Sequence, residues 1–193
     1  MTYLKVILGC MFSSKTTTLL SEINRYKHIT NKILVINHIL DKQRQSNIDY
    51  IIESHDNKYS SAIMINELNE LNSNTNINRL YKDAEIIIID EGQFFKDLYN
   101  FIRHELFTVT NKKMFIVAGL SNDYNMEPIG DIIKLIPMAD EILKLYAYCI
   151  YCKDGTLASF TRKLINDNNQ ITIGKNETYA PCCRKHFLKN KIN

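Results

Sequence analysis

The stretch Gly9-Cys10-Met11-Phe12-Ser13-Ser14-Lys15-Thr16-Thr17 decides the fold. It follows an apolar run from Tyr3 to Leu8 and precedes a segment of helical period, so it predicts a strand, a tight loop and a helix. Such a loop binds phosphate, because its backbone N–H groups and the helix N-terminus point at the anion while the lysine adds a positive charge. The general pattern G-x-x-x-x-G-K-[ST] has glycine where this chain has Ser14. The predicted phosphate-binding residues are Gly9, Met11, Phe12, Ser13, Ser14, Lys15, Thr16 and Thr17.

Apolar, β-branched runs recur along the chain and predict buried strands. They are Leu4–Leu8, Ile33–Ile36, Ile86–Ile89 and Phe115–Val117, with a further strand predicted at Ile142–Tyr148. Segments of helical period separate them, with apolar positions Leu19, Leu20, Ile23, Tyr26, then Leu98, Phe101, Ile102, Leu106, and then Ile129, Ile132, Ile133, Ile136. This alternation predicts an α/β fold of the P-loop, RecA-like kind, with a parallel sheet and helices on both faces over residues 1–148.

Two segments differ from this alternation. Asn66–Asn78 is rich in Asn, Ser and Leu and predicts a polar helix–loop connection inside the first unit. After Tyr148, residues 149–193 predict a second, small unit with a β-like stretch at Gln170–Ile173 and a Cys-rich tail. A unit of this size has a marginal hydrophobic core and usually needs a metal or a disulfide to hold it together.

The stretch Asp90-Glu91-Gly92-Gln93-Phe94-Phe95 follows four consecutive isoleucines. Acidic residues at the carboxyl ends of parallel strands lie in the crevice where ligands bind. In a phosphate-loop protein the first acid holds Mg²⁺, often through water. We therefore predict that Thr16 and Asp90 hold Mg²⁺ and that Glu91, next to the metal ligand, accepts a proton from a nucleophile.

Cysteine and histidine spacing near the C-terminus predicts a zinc site. Cys149-x-x-Cys152 and Cys183-x-x-His186 share one spacing, which favours Cys183 over Cys182 as the ligand. Closing the chain between these half-sites costs about 3–4 kcal/mol of entropy, whereas a structural Zn²⁺ site contributes about 10–16 kcal/mol. Since four protein ligands leave no open position, the predicted Zn²⁺ is structural.

Composition narrows the classes of protein. The formal net charge is +3 and no Lys/Arg stripe or run stands out, so we expect no nucleic-acid partner. The longest apolar runs, such as Met114–Leu120, are too short to span a bilayer, so we expect no membrane partner. The N-terminus does not read as a signal peptide. With cysteines suited to metal binding, a reduced, cytoplasmic setting is expected.

The segment from Val117 to Gly130 places Tyr124 in a loop after a predicted strand, at the same sheet edge as the two motifs above. An aromatic ring there either stacks on a base or simply packs against the protein. The residues alone leave both readings open.

Taken together, these motifs resemble the type II thymidine kinases, a family of animals, many bacteria and large DNA viruses. The phosphate loop is similar to the family's G-x-M-F-x-G-K-[ST], and Asp90–Phe95 matches its D-E-[GA]-Q-F-F. Gly119–Gly130 resembles a family loop with the pattern A-L-x-x-x-F-x-x-x-P-F-G, and Ala158–Arg162 resembles A-x-[FY]-[TS]-x-R. The family also has a substrate lasso, a segment that closes over the nucleoside and is anchored by a metal site. It is resembled here by Ile173-Gly174, Tyr179 and Cys183–His186. Altogether the resemblance runs from Tyr3 to Phe187.

The resemblance implies transfer of the ATP γ-phosphate, with Mg²⁺, to the 5′-hydroxyl of thymidine or deoxyuridine. It implies that Glu91 is the general base and that the phosphate loop binds ATP. It also implies a homotetramer and feedback inhibition by thymidine triphosphate. The nucleoside contacts that it implies are Met11, Gln93, Phe94, Leu120, Tyr124, Thr161, Ile171, Thr172, Ile173 and Tyr179.

The chain departs from the family pattern at several positions. Ser14 replaces a glycine, and its Cβ crowds the phosphate if the loop needs a positive φ there. The Asp-x-Arg element after the second strand is echoed only by Asp41–Arg44. Two other readings therefore stay open: a P-loop ATPase with a nucleic-acid-binding zinc ribbon, and a nucleotide-binding paralogue with impaired catalysis.

Overall fold

The computed structural model describes residues 2–44, 51–53, 59–110, 112–165 and 177–189. Short 3₁₀ helices cover Ile39–Arg44, Gly92–Phe94 and Ile132–Met138. In chain order the other elements are β1 (Tyr3–Gly9), α1 (Lys15–Tyr26), β2 (Ile33–His38), β3 (Ile51–Glu53), β4 (Tyr59–Ser61), β5 (Ile63–Ile65), α2 (Glu70–Ser73), α3 (Thr75–Asp83), β6 (Ile86–Ile89), α4 (Leu98–Phe107), β7 (Met114–Gly119), β8 (Glu141–Leu145), β9 (Ala147–Tyr148), β10 (Leu157–Ala158), β11 (Phe160–Lys163), β12 (Tyr179–Cys182) and α5 (Arg184–Leu188).

A six-stranded parallel sheet with the order β5-β2-β6-β7-β1-β8 forms the centre of the molecule. Strand β7 lies between β1, which precedes the phosphate loop, and β6, which precedes the acidic pair. Leu8 of β1 is in register with Gly119 of β7, and Ile89 of β6 is in register with Val117. The phosphate loop and the acidic pair therefore leave the sheet at one edge, on either side of the end of β7.

Alternate residues of the central strands are buried on opposite faces of the sheet, as a pleated strand requires. On one face, Ile7, Ile88 and Ile116 pack with Leu19 and Ile23 of α1. On the other face a larger core joins the sheet to α2, α3, α4 and the 3₁₀ helix at Ile132–Met138. The predicted fold class, an α/β fold with a parallel sheet and helices on both faces, is confirmed.

Three local predictions need correction or completion. The apolar positions that start at Ile129 predicted a regular helix, but the structure has a 3₁₀ helix, Ile132–Met138, with Pro137 inside it. In a regular helix the Pro137 ring would clash with the carbonyl group four residues before it, which disfavours that form here. The predicted strand Ile142–Tyr148 is divided into β8 and β9. The connection at Asn66–Asn78 holds α2 and the start of α3, and Asn74 caps α3 by accepting from Asn76 N (3.1 Å).

Two ribbons and a short helix follow β8, and the first ribbon begins at Ala147, two residues before the predicted small unit of residues 149–193. Strand β9 pairs with β10, and β11 pairs with β12, both in antiparallel fashion. The predicted strand at Gln170–Ile173 lies outside the described residues. Among the helices that the structure describes, none combines the length and the apolar character needed to cross a membrane.

Candidate active site

The phosphate loop runs from the end of β1 to the start of α1 and folds around the carbonyl oxygen of Cys10. Ser13 Oγ and Lys15 Nζ both donate to this oxygen, each at 2.8 Å. Ser13 is buried, and a Cβ at Gly9 would collide with Ser13 Oγ. The tight turn therefore requires glycine at its first position and brings the Lys15 ammonium group over the loop.

Ser14 occupies the left-handed region, with φ 64° and ψ 29°. The positive φ that makes glycine preferable at this position is therefore present in this chain. A residue with a Cβ costs roughly 1–2 kcal/mol in this conformation. The Ser14 side chain does not cap α1, while its carbonyl oxygen accepts from Thr18 N at 2.9 Å. Phe12 also has a φ of 64°, so the loop contains two strained residues.

Asp90 joins the phosphate loop to the acidic pair. Thr16 Oγ1 donates to Asp90 Oδ2 at 3.1 Å, so the two predicted Mg²⁺ ligands are in direct contact. Burial, followed by the nearby charges of Glu91 and Asp41, raises the pKa of Asp90 to about 7, and the Lys15 charge acts in the opposite direction. A divalent cation between Thr16 and Asp90 would favour the charged carboxylate and so oppose this shift. The donor set, a hydroxyl and a carboxylate, suits Mg²⁺.

Glu91 follows in a left-handed conformation, with φ 52° and ψ 38°. Its backbone N–H donates to Asp90 Oδ1 at 2.9 Å, and its half-buried side chain accepts a hydrogen bond from Gln93 Nε2. Thr16 of the phosphate loop contacts Asp90 directly, so the phosphate loop and the acidic pair lie side by side. A carboxylate there can take a proton from a hydroxyl group.

The described residues predicted to contact a nucleoside come from the phosphate loop, the turn after β6, the loop after β7 and the β11–β12 ribbon, and contacts join some of these segments. Thr161 Oγ1 accepts from Met11 N at 3.0 Å. Lys163 Nζ lies 4.7 Å from the centre of the Tyr124 ring, and Lys163 is in register with Tyr179. The remaining described members of this set, Gln93, Phe94 and Leu120, are buried. The predicted contacts Ile171, Thr172 and Ile173 lie outside the described residues.

A second site brings together the Sγ atoms of Cys149, Cys152 and Cys183 and the Nδ1 atom of His186, all within 4.8 Å of one another. The Cys152–Cys183 Sγ distance is 3.7 Å, and His186 Nδ1 lies 3.6 Å from Cys149 Sγ and 3.3 Å from the other two sulfurs. A tetrahedron with Zn–S bonds of about 2.3 Å has edges of about 3.8 Å. Both the donors and their spacing fit Zn²⁺.

Cys182 does not belong to this cluster, although it precedes Cys183 directly. It is fully buried, and burial raises its pKa to about 12. A thiol in that state is inert. The repeated C-x-x-C and C-x-x-H spacing therefore selected the cysteine that the structure places in the cluster.

Sequence reasoning missed two residues at the site. Cys10 Sγ donates to Ala158 O at 3.3 Å, which ties the phosphate loop to the small unit. His38 ends β2 at the same sheet edge, and its ring packs edge-on against Phe95 with centroids 4.8 Å apart. Its Nδ1 accepts from Leu40 N at 3.1 Å, and burial lowers its pKa. The position of His38 at a strand end was a usable signal, whereas no sequence pattern pointed to Cys10.

Comparisons with known proteins agree with this arrangement. The sequence model of the family described as "Thymidine kinase" matches residues 2–187. The chain is 37% identical over 187 residues to the thymidine kinase of Yaba monkey tumor virus, covering 97% of this chain and 95% of that protein. It is 41% identical over 189 residues to the thymidine kinase of Amsacta moorei entomopoxvirus, covering 94% and 95%. A bacterial relative, the thymidine kinase of Mycoplasma genitalium, is 36% identical over 194 residues, covering 97% and 84%.

Proposed function

Because the chain belongs to the thymidine kinase family, we propose that it transfers the γ-phosphate of ATP to the 5′-hydroxyl of thymidine, and also of deoxyuridine. The observation that carries this proposal is the meeting of two motifs at Asp90, where Thr16 of the phosphate loop donates to the acid that precedes Glu91. Phosphoryl transfer depends on positioning and charge neutralisation, and both are supplied by this crevice.

Each side chain at the crevice has a defined role in the proposed reaction. The phosphate loop holds the triphosphate with its backbone N–H groups, and Lys15 exchanges its bond to the Cys10 carbonyl for the phosphate oxygens. Thr16 and Asp90 hold Mg²⁺, which neutralises phosphate charge when bound with ATP. Glu91 takes the proton from the 5′-hydroxyl as the oxygen attacks the γ-phosphorus, and ADP leaves.

The small unit, residues 149–193, supplies one wall of the nucleoside pocket. Thr161 and Tyr179 come from its β11–β12 ribbon, and the Cys149, Cys152, Cys183 and His186 site holds a structural Zn²⁺. In this proposal the pocket encloses thymidine between this ribbon, Met11 and the loop that carries Leu120 and Tyr124. Enclosure excludes water, which competes with the nucleoside as a nucleophile. The active form is a cytoplasmic homotetramer under feedback inhibition by thymidine triphosphate.

A thymidine-dependent assay tests the proposal. Purified protein with ATP and Mg²⁺ is expected to form thymidine monophosphate and ADP in equal amounts, and Lys15→Met is expected to lose this activity. Nucleic-acid-stimulated ATP hydrolysis without the monophosphate would favour the ATPase with a zinc ribbon. Nucleotide binding without any product would favour the impaired paralogue.

A further inference from the structure

Gln93 lies two residues after Glu91, and its side chain points into the protein. It belongs to the 3₁₀ turn Gly92–Phe94 and is 3% exposed. Its Oε1 accepts from the backbone N–H of Leu120 at 2.9 Å. Because a backbone N–H can only donate, this bond fixes which end of the amide faces Leu120. The other end, Nε2, therefore faces the acidic pair as a donor.

The Nε2 group of Gln93 donates to Glu91 Oε2. One side chain thus bridges the Glu91 carboxylate and the first backbone N–H after β7. The Glu91 side chain is only half-buried, so packing alone does not fix its conformation. The hydrogen bond from Gln93 restricts its rotamers. A carboxylate that must reach one hydroxyl group gains from such restriction, since a 1 Å misplacement can cost roughly 100-fold in rate.

The surroundings of Gln93 leave it little freedom. A Cβ at Gly119 would collide with Gln93 Oε1, so the glycine at the end of β7 provides the space for the amide. Gly130 has a φ of +60°, and a Cβ there would collide with the Gln93 carbonyl oxygen. Both the main chain and the side chain of Gln93 are therefore close-packed against two glycines. Such packing is what a fixed support for a reacting group requires.

We propose that Gln93 is a positioning residue that orients the Glu91 carboxylate toward the nucleoside 5′-hydroxyl, instead of contacting the nucleoside. The inference rests on the proposed function, because it needs Glu91 as the general base. It replaces the sequence-based expectation that Gln93 is a nucleoside contact. Each polar end of the amide has a protein partner, and the buried position of Gln93 turns both ends toward the protein.

Two substitutions separate the two bonds of the amide. Gln93→Glu keeps an oxygen for the Leu120 N–H but places a second carboxyl group against Glu91, where the two groups share one proton and Glu91 becomes a poorer base. Gln93→Met keeps the length of the side chain and removes both bonds. We expect kcat for thymidine to fall roughly 10- to 100-fold in both variants. The thymidine Kd, measured by calorimetry, should stay within about threefold of the wild-type value.

A double-mutant cycle then distinguishes positioning from contact. When Glu91→Gln is already present, Gln93→Met should lower the residual kcat by less than about threefold, because the group that Gln93 orients has been removed. A residue that contacts thymidine would instead raise the thymidine Kd in both backgrounds, and that result would overturn the inference. Full additivity of the two losses in kcat would also overturn it.

The design keeps this inference apart from the proposed function. If the wild-type protein forms no thymidine monophosphate, the proposed function fails. If wild-type protein is active and Glu91→Gln is not, but the Gln93 variants keep full kcat, only the positioning role fails. Melting temperature and zinc content identify variants that do not fold. Should Gln93→Met fail that check, Gln93→Glu decides, since it retains the bond to Leu120.

Discussion

The two ends of the parallel sheet differ in strain and in charge balance. At the carboxyl end, the loops after β1, β6 and β7 contain Phe12, Ser14, Glu91 and Met126, which are four of the five non-glycine residues with positive φ in the described part of the chain. The same end buries Asp90 beside the charges of Glu91 and Asp41. Neighbouring like charges and left-handed residues both cost free energy.

At the amino end, buried charges lie against opposite charges or carbonyl groups. Lys5 Nζ, between α1 and β8, is 3.0 Å from Glu22 Oε1 and 2.8 Å from Glu141 Oε1. Lys113 precedes β7, and its Nζ donates to carbonyl groups at the end of α3, including Tyr81 O at 2.8 Å. A cation is favourable there because the carboxyl end of a helix carries partial negative charge.

The strained and like-charged residues, which lower the free energy of unfolding, lie at the carboxyl end, where the proposed reaction takes place. Strained residues persist at sites where the surrounding structure holds them, and such sites are often functional. In the proposed function, phosphate groups and Mg²⁺ bound at the carboxyl end would supply the charges that the protein alone does not balance. The proposed function assigns no reactant to the amino end, where Lys5 and Lys113 have protein partners.

The largest expected effect comes from disturbing the predicted zinc site, whose Cys149 and Cys183 pack in one core with Cys10 at the carboxyl end. Cys183→Ser should abolish zinc binding and unfold the small unit, because a structural Zn²⁺ contributes about 10–16 kcal/mol. Cys182→Ala is the matched control, since Cys182 lies outside the cluster, and it should keep its zinc. Elemental analysis of protein purified without chelators measures both. Wild-type protein without zinc, or equal zinc in both variants, would contradict the assignment.

The next effect tests whether the chemistry belongs to the carboxyl end alone. Glu91→Gln should lower kcat roughly 10²- to 10⁴-fold, the usual contribution of a general base, while the Kd values of ATP and thymidine change little. Glu141→Gln makes the same chemical change at the amino end and should leave kcat within about twofold. Steady-state kinetics with calorimetric Kd values provide the comparison. Unchanged kcat in Glu91→Gln would refute the general-base role.

Neutralising one buried carboxylate at each end should change stability in opposite directions. The raised pKa of Asp90, about 7, means that its contribution to stability is present below pH 4 and is lost as the pH rises to 7. Asp90→Asn should therefore raise the free energy of unfolding at pH 8 by roughly 2–4 kcal/mol without Mg²⁺ or nucleotide. Glu22→Gln should lower it by about 1.5–3 kcal/mol, because Lys5 loses one of its two charged partners.

Urea unfolding at pH 8 and pH 4.5 checks this pair of variants. The gain from Asp90→Asn should be largest at pH 8 and small at pH 4.5, where the wild-type carboxyl group already carries its proton. A loss of stability in Asp90→Asn at pH 8 would show that the carboxyl end does not bear the electrostatic cost that its geometry indicates.

The smallest effect concerns backbone strain in the phosphate loop. Ser14→Gly should raise the free energy of unfolding by about 0.5–1 kcal/mol, because glycine adopts positive φ without steric cost. Ser21→Gly is the matched control: Ser21 is exposed inside α1, and glycine there should cost about 0.5–1 kcal/mol. Thermal unfolding of both variants measures the difference. If both substitutions shifted the free energy of unfolding in the same direction, the strained conformation of Ser14 would be contradicted.

Much of the fold was predictable because its signals are local. Continuous apolar runs such as Ile86–Ile89 identified the central strands, and the resemblance to thymidine kinases is confirmed by the comparisons. Strand β5 was missed because Ile63–Ile65 is too short to show a pattern. The 3₁₀ helix at Ile132–Met138 was taken for a regular helix because its apolar spacing fits both forms.

The site was predictable only where a motif carries its own chemistry. Asp90 and Glu91 follow a buried strand directly, so their shared edge with Lys15 could be inferred. The bridge made by Gln93 depends on the N–H of Leu120, and the register of β6 against β7 brings the two residues together. The register of β6 against β7 cannot be read from the spacing of residues in the sequence. The bond between Cys10 and Ala158 likewise joins residues far apart in the chain.

The bonds from Cys10 and Met11 to Ala158 and Thr161 have a consequence for protein engineering. The first turn of the phosphate loop and the β11–β12 side of the molecule contact each other directly, although they lie far apart in the sequence. Within one protein these two surfaces have evolved together. A hybrid enzyme that takes its last 47 residues, 147–193, from a relative would combine two halves of this interface that were never matched. Grafts of the C-terminal segment should therefore carry residue 10 of the donor, which contributes a side chain to the interface, with them.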